Sequence, residues 1–241
     1  MSQNWSSRQN RSKINESSLV YLPALLKKYH IFKEGIKDEE KTKLVRNVLK
    51  KNYFHSVAVK YELAHYYRKN NQCNKALKIY DKLLFDVKDS IKFLFFKASC
   101  LEKIGLWNES KTIFQKIIDH EKDAYSLNYL SYSMAIRNEN LETALMLINQ
   151  AIEIQPNNGY FLDTLGWIQY KQKNYYMALK NLQRAVVIQP NSAEIMDHLG
   201  DCYFKIGRTK EAIYEWKRAL QSEISDKLKK IIKNKISTSN L

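Results

Sequence analysis

The chain has 241 residues, of which 44% are hydrophobic, and it carries 40 basic and 25 acidic side chains. This hydrophobic content excludes a globally disordered protein, and no apolar run reaches the roughly 20 residues that a membrane-spanning helix needs. Only 6 glycines and 3 prolines occur, which disfavours sheets with many tight turns and favours helices throughout.

The N-terminal segment 1–18 is polar and basic, and it predicts a disordered terminus. The apolar stretch that follows, 19–26, is short and contains Pro23, so it does not resemble the core of a secretory signal. We therefore expect a cytoplasmic protein. The alternative is an envelope-associated protein, if the true N-terminus carries a signal that is not seen here.

The excess of positive charge lies mainly at the two ends of the chain. Residues 1–56 hold 12 basic and 5 acidic side chains, and residues 221–241 hold 5 and 2. Only 8 of the 40 basic residues are arginine, the side chain preferred for bidentate recognition of phosphates and bases. The charge therefore permits a nucleic-acid or anionic-surface binder but does not favour one.

From residue 57 onward the sequence repeats itself with a period of 34 residues. The pair Leu165-Gly166 recurs as Leu199-Gly200, and small or bulky apolar residues follow each pair at helical spacing. We place five units at 57–90, 91–123, 124–158, 159–192 and 193–226. The signature positions that mark the facing sides of the two helices and the ends of units are Leu165, Gly166, Ala178, Ala185, Pro190, Leu199, Gly200, Ala212, Trp216 and Ala219.

The small residues of this signature have a direct physical reading. Two helix axes approach to about 8 Å only where a glycine or alanine stands at the crossing. We therefore expect Gly166 to face Ala178, and Gly200 to face Ala212, within two successive helix pairs. Pro190 ends the second helix of its unit, since proline cannot continue a helix.

This pattern resembles the tetratricopeptide repeat family, bacterial type, over about 170 of the 241 residues. The resemblance implies an all-α fold, a right-handed superhelical α-solenoid of helix-turn-helix repeats. It implies further that residues 19–56 form a degenerate helical pair that caps the array. Residues 227–241 then form a Lys-rich capping helix or tail. Lys97, Gln169 and Ile224 depart from the family pattern, and the last departure indicates that the array is ending.

The sequence offers no constellation typical of an enzyme, a cofactor or a metal. The five histidines never fall three or four residues apart, and the cysteines Cys73, Cys100 and Cys202 are too far apart for a disulfide framework or a zinc site. We expect them to be small core residues. The prediction is a non-catalytic protein without cofactors or metals.

Function in a protein of this resemblance lies on a groove lined by the first helix of each unit. The family's groove positions indicate a surface that is aromatic along its length and acidic towards its C-terminal end. The candidate partner-binding residues are Tyr125, Tyr132, Tyr160, Asp163, Trp167, Tyr170, Glu194, Asp197, Asp201 and Phe204.

Three functional hypotheses follow, of which a protein-interaction scaffold is preferred. In it the aromatic residues hold apolar side chains of a peptide or protein segment, and the acidic residues select lysine or arginine. Alternatively, the groove binds the protein's own Lys-rich tail, which carries Lys227, Lys229, Lys230, Lys233 and Lys235, or a second copy of the chain. The other hypotheses are a nucleic-acid or anionic-surface binder using Trp5, Tyr21, Tyr29 and that tail, and an accessory subunit of an envelope-associated complex.

Overall fold

A computed structural model describes residues 21–239, so the predicted disordered terminus 1–18 lies outside the described residues. Within this part every regular element is helical, which confirms the predicted all-α fold class. One π-helical turn, Ile31–Gly35, follows the first helix. The α-helices are α1 (Tyr21–His30), α2 (Glu39–Asn52), α3 (Val57–Lys69), α4 (Cys73–Asp86), α5 (Ile91–Lys103), α6 (Trp107–His120), α7 (Ala124–Ile136), α8 (Leu141–Ile154), α9 (Gly159–Lys171), α10 (Tyr175–Ile188), α11 (Ala193–Lys205), α12 (Thr209–Ala219) and α13 (Asp226–Ser239).

The chain divides into two compact units, the first ending at Ser110 and the second beginning at Lys111. In the first unit α3 packs against α4, and α4 packs against α5. Its core includes the fully buried side chains of Tyr29, Leu49 and Tyr80. The helix α1, the π-helical turn and α2 contact one another and close one end of this core.

After the end of α6, the second unit consists of three helix pairs followed by a single helix. The pairs α7–α8, α9–α10 and α11–α12 each pack closely, and the first helices α7, α9 and α11 also contact one another in series. Helix α13 packs against α12 and contributes the buried Ile232 to the same core as Trp216 and Leu182. The last pair therefore does not expose its apolar side to solvent, as the end of a repeat array requires.

The first helices end in the same way in every pair. The second residue after each helix has a left-handed backbone, with φ of 56° at Asn71, 88° at Gly105, 53° at Asn138, 64° at Lys173 and 81° at Gly207. The next amide then bonds back to a carbonyl of the helix, as in Gln72 N–H to Tyr67 O at 2.8 Å and Arg208 N–H to Tyr203 O at 2.9 Å. This arrangement satisfies helix carbonyls that would otherwise lack donors.

Side-chain caps begin several helices of the second unit, among them α7, α8 and α9. Asp123 accepts a hydrogen bond from the amide of Ser126, Asn140 from that of Thr143, and Asn158 from that of Tyr160. Each cap satisfies one of the free amides at a helix N-terminus.

Glycine at the helix crossings permits contacts that a methyl group would block. A Cβ atom added at Gly200 would lie 2.4 Å from Nε1 of Trp216 and 2.5 Å from its Cδ1, and one added at Gly166 would lie 2.7 Å from Cγ of Leu182. The Trp216 ring is buried, and its Nε1 donates a hydrogen bond to the carbonyl of Asp197 at 3.3 Å. Gly200 therefore determines how closely α11 can approach α12.

We predict that Gly200→Ala lowers the free energy of unfolding by about 2–3 kcal/mol, because the buried Trp216 ring cannot move away without losing its packing and its hydrogen bond. Urea denaturation measures this loss. Gly35→Ala is the matched control, since nothing lies within 4 Å of a Cβ placed there and its φ is not positive. Equal stability of the two variants would contradict the role of Gly200.

Candidate functional site

The candidate groove of the second unit lies on the first helices α7, α9 and α11. Because these helices contact one another in series, side chains at equivalent positions line one continuous surface. Three aromatic side chains on it are well exposed: Tyr125 at 55%, Tyr160 at 50% and Phe204 at 42%. The Tyr125 ring also makes an edge contact with Phe161, with ring centroids 5.7 Å apart. These three residues are the aromatic groups of this surface that a partner reaches most easily.

At the centre of the surface the aromatic rings stack on one another. The Trp167 ring lies parallel to that of Tyr170 at 4.8 Å, and it stacks on the other side against the imidazole of His198 at 4.1 Å. Tyr132 approaches the same imidazole, with ring centroids 6.1 Å apart. Burial raises the pKa of the Tyr170 hydroxyl above its ordinary value of 10.0, and the nearby Asp201 adds to that rise. The central rings therefore form a rigid, half-buried floor rather than an open set of side chains.

Two polar atoms at groove positions are buried without a hydrogen-bond partner in the described part of the chain. They are Oδ1 of Asn128 on α7 and Nε1 of Trp167 on α9. Buried polar atoms normally have partners, so each one that lacks a partner carries an energetic cost. A small shift of α7 or α9 that opened these atoms to a bound amide group would remove that cost.

Asp163 is buried and forms an ion pair with His198. The imidazole Nδ1 lies 2.9 Å and 3.1 Å from the two carboxylate oxygens. Burial lowers the pKa of His198, but the charge and hydrogen bond of Asp163, with help from Asp197 and Asp201, outweigh it and raise the pKa above 6.5. Asp163 therefore joins α9 to α11, and it is not exposed for a ligand in the way that the sequence predicted.

Asp197 and Asp201 are also paired within the protein. Nζ of Lys235 on α13 lies 2.8 Å from Oδ1 of Asp197 and 2.7 Å from Oδ1 of Asp201. Burial raises the pKa of Asp201 and the charge of Lys235 opposes that rise. Of the occupants considered for the acidic end of the groove, the protein's own tail lies there in the structure, through Lys235.

The structure thus gives the predicted groove residues different roles. Tyr125, Tyr160, Phe204 and the acidic Glu194 are exposed, whereas Tyr132, Trp167 and Tyr170 are half-buried. The expectation that the three aspartates face a ligand does not match their contacts, because His198 pairs with Asp163 and Lys235 is shared by Asp197 and Asp201. His198 was not among the predicted site residues. His198 directly follows Asp197. Its position 35 residues after Asp163, one more than the repeat period, was the signal in the sequence that could have indicated their contact.

No helix of the described part is long and apolar enough to cross a membrane. Among residues 21–239 no group of three or more histidine, cysteine, aspartate or glutamate side chains is arranged to hold a metal ion. The cysteines Cys73, Cys100 and Cys202 are buried and unbridged.

Comparison with known proteins relates the second unit to repeat proteins. A family model described as anaphase-promoting complex, cyclosome, subunit 3 matches residues 137–219. The TPR repeat-containing protein PA4667 of Pseudomonas aeruginosa is 29% identical over 104 residues, which are 43% of this chain and 18% of that protein. The chain therefore matches less than a fifth of the length of that relative.

Solved structures with the same fold cover more of the chain. The thermophilic TPR protein TTC0263 of Thermus thermophilus is similar with a TM-score of 0.66 and 18% identity, covering 76% of this chain and 98% of that one. MamA of Desulfovibrio magneticus RS-1 is similar with a TM-score of 0.56 and 14% identity, covering 69% and 94%. At these identities the structural similarity indicates the fold alone.

We predict that Asp163→Asn lowers the pKa of His198, because burial is then opposed by less negative charge. The raised pKa means that the pair's contribution to stability is complete below pH 6.5 and is lost as the pH rises through the folded-state pKa. The variant should lose that pH dependence, and below pH 6.5 about 3 kcal/mol of the free energy of unfolding. NMR titration of the imidazole and urea unfolding at several pH values measure both effects.

The control is Glu194→Gln, which removes an exposed carboxylate from the next first helix. It should leave the pKa of His198 and the pH dependence of unfolding unchanged. A His198 titration that is the same in Asp163→Asn and in the wild type would contradict the assignment of this ion pair.

We predict that Lys235→Met raises the pKa of Asp201 further and speeds hydrogen exchange of the α13 amides, because Asp197 and Asp201 then repel each other without a shared cation. Methionine keeps the length of the side chain and removes its charge. Lys233→Met removes an exposed charge from the same helix and should change neither quantity. If both variants exchange α13 amides at the wild-type rate, the ion pair does not hold α13 in place.

Proposed function

We propose that the chain is a tetratricopeptide-repeat protein and a non-catalytic scaffold that binds a protein or peptide segment on α7, α9 and α11. This fold supports a role as a protein-interaction scaffold in general. The observation that carries the finer proposal is that each of the three first helices has an exposed aromatic side chain: Tyr125 and Tyr160 at the starts of α7 and α9, and Phe204 near the end of α11. Tyrosine and phenylalanine at such positions bury a large area at a small cost in side-chain entropy.

The segment that fits this surface is largely apolar. The half-buried rings of Trp167 and Tyr170 supply a flat apolar floor beside the exposed aromatics. Interfaces depend on a few such buried anchors, surrounded by residues that exclude water. We infer that the segment places two or three apolar side chains between the exposed rings.

Charge contributes less to this recognition than the sequence predicted. Asp197 and Asp201 share Lys235, so a lysine or arginine of the segment reaches them only by replacing that side chain. Glu194 is the exposed carboxylate of the predicted groove positions. A single basic residue of the segment near Glu194 is therefore part of the proposal, and an extended run of basic residues is not.

Binding of nucleic acid has one observation in its favour. Four lysines of α13 are exposed: Lys227, Lys229, Lys230 and Lys233. Two of the aromatic residues proposed to assist these lysines give no support to nucleic-acid binding. Tyr29 is 1% exposed, and Trp5 lies outside the described residues. Stacking on bases needs an accessible ring, so the protein segment is the better supported partner.

We predict that peptides selected on the wild-type protein from a random display library bind the double variant Tyr160→Ala with Phe204→Ala at least about tenfold more weakly, since each exposed ring is an anchor. Isothermal titration calorimetry with the selected peptides measures the loss.

The matched control is Tyr176→Ala with Tyr214→Ala, which removes two equally large exposed rings from the second helices α10 and α12. Tyr176 is 81% and Tyr214 is 62% exposed, so truncation of either ring leaves no cavity. Peptides that lose affinity for this control and not for the groove variant would reject the groove. Basic peptides that bind Lys235→Met and do not bind the wild type would show instead that the tail controls access.

A further inference from the structure

The first unit contains a cavity of about 390 Å³ that the proposed scaffold does not use. It lies where the end of α1 and the π-helical turn meet the start of α2 and the end of α3. The residues that line it are Tyr29, Lys33, Lys37, Glu39, Thr42, Arg46, His65, Tyr66, Lys69 and Asn70. A cavity of this size accommodates a small molecule and not a folded segment.

The cationic side chains that line this cavity outnumber the acidic ones. Four lining side chains are cationic, Lys33, Lys37, Arg46 and Lys69, and one, Glu39, is acidic. Lys33 is already paired with Glu62, which stands outside the lining, at 3.5 Å. Glu39 offsets one of the remaining three cations, so two positive charges are left unmatched. Burial lowers the pKa of His65, and neighbouring Arg68 and lysines lower it further, so its imidazole adds no charge at neutral pH.

A buried hydroxyl lies at the wall of the same space. Tyr29 lines the cavity and is 1% exposed; Arg46 interacts with its hydroxyl oxygen, and no acceptor takes the hydroxyl proton within the described part of the chain. Burial raises the pKa of this hydroxyl above 10.0, although Lys33 and Arg46 act against the rise. The group is therefore a protonated donor that lacks an acceptor, and leaving it so is costly.

The cationic side of the cavity is held in place by an aromatic ring. The guanidinium of Arg46 lies 3.5 Å from the centroid of the Tyr66 ring, so its position is determined by stacking. A guanidinium that is stacked on one face still presents its N–H groups in its own plane, where an anion's oxygens accept them.

We propose that this cavity binds the phosphate monoester group of a small soluble molecule. The Tyr29 hydroxyl and the Arg46 guanidinium donate to the phosphate oxygens, and Lys37 and Lys69 supply charge at the entrance. A monoester dianion matches the two unmatched positive charges, whereas a carboxylate leaves one of them unpaired. The inference is independent of the groove on α7, α9 and α11, because every residue in it belongs to the first unit.

Titration of the full chain with phenyl phosphate, inorganic phosphate and acetate at constant ionic strength tests the proposal. We expect the two phosphates to bind in the millimolar range or tighter, acetate to bind at least about tenfold more weakly, and the amide signals of Thr42, Lys69 and Asn70 to shift on binding. Tyr29→Phe should lower the affinity for phenyl phosphate about tenfold with little loss of stability, since it removes a buried donor that has no acceptor.

Arg46→Met is a second variant that should weaken binding at least as much, and Lys229→Met is the control that removes one exposed charge elsewhere. Three results would overturn the proposal: acetate binding as tightly as phenyl phosphate, unchanged affinity in both Tyr29→Phe and Arg46→Met, or equal loss in Lys229→Met. Binding to phosphatidic acid vesicles without binding to phenyl phosphate would also overturn it, because the source would then be a lipid headgroup.

Discussion

The close approach of the two helices within each pair is the constraint on which the second unit depends. At Gly200 the backbone of α11 lies so near Trp216 of α12 that no side chain fits between them. This contact keeps one side of the first helix against its partner, and another side contacts the neighbouring first helices. Because each pair must present an equivalent side to the next, the contact recurs with the repeat.

The parts of the fold that could be predicted are those for which only a few residue types satisfy the physical requirement. Glycine or alanine is needed at a close helix crossing, so Gly166 and Gly200 were visible as a repeat and the all-α fold class followed. The left-handed residue after each first helix is equally regular in the structure, but Asn71, Asn138 and Lys173 occupy it in three of the five pairs. Because asparagine and lysine also adopt the left-handed conformation here, the residue type does not reveal this position in one sequence.

The residue types at the groove positions could be predicted, but their contacts could not. Spacing places Asp163, Asp197 and Asp201 on the first helices, and it does not reveal which cation reaches each carboxylate. That depends on the rotation of α11 and α13, which brings His198 and Lys235 inward and leaves Lys233 exposed. The rotation of α13 is set in turn by Ile232, which is buried in the core beneath the last pair.

The internal pairing of the acidic residues changes what recognition in the groove requires. A ligand ammonium that reached Asp201 would have to displace Lys235. The ammonium group of the displaced lysine would then be hydrated by water instead of paired with two carboxylates. The net gain from such an exchange of one cation for another is small. Contacts with Tyr125, Tyr160 and Phe204 carry no such competition, because their exposed faces have only solvent to lose. In the proposed groove, specificity would therefore arise from the shape and apolar character of the bound segment, while the ion pairs maintain the surface on which it lies.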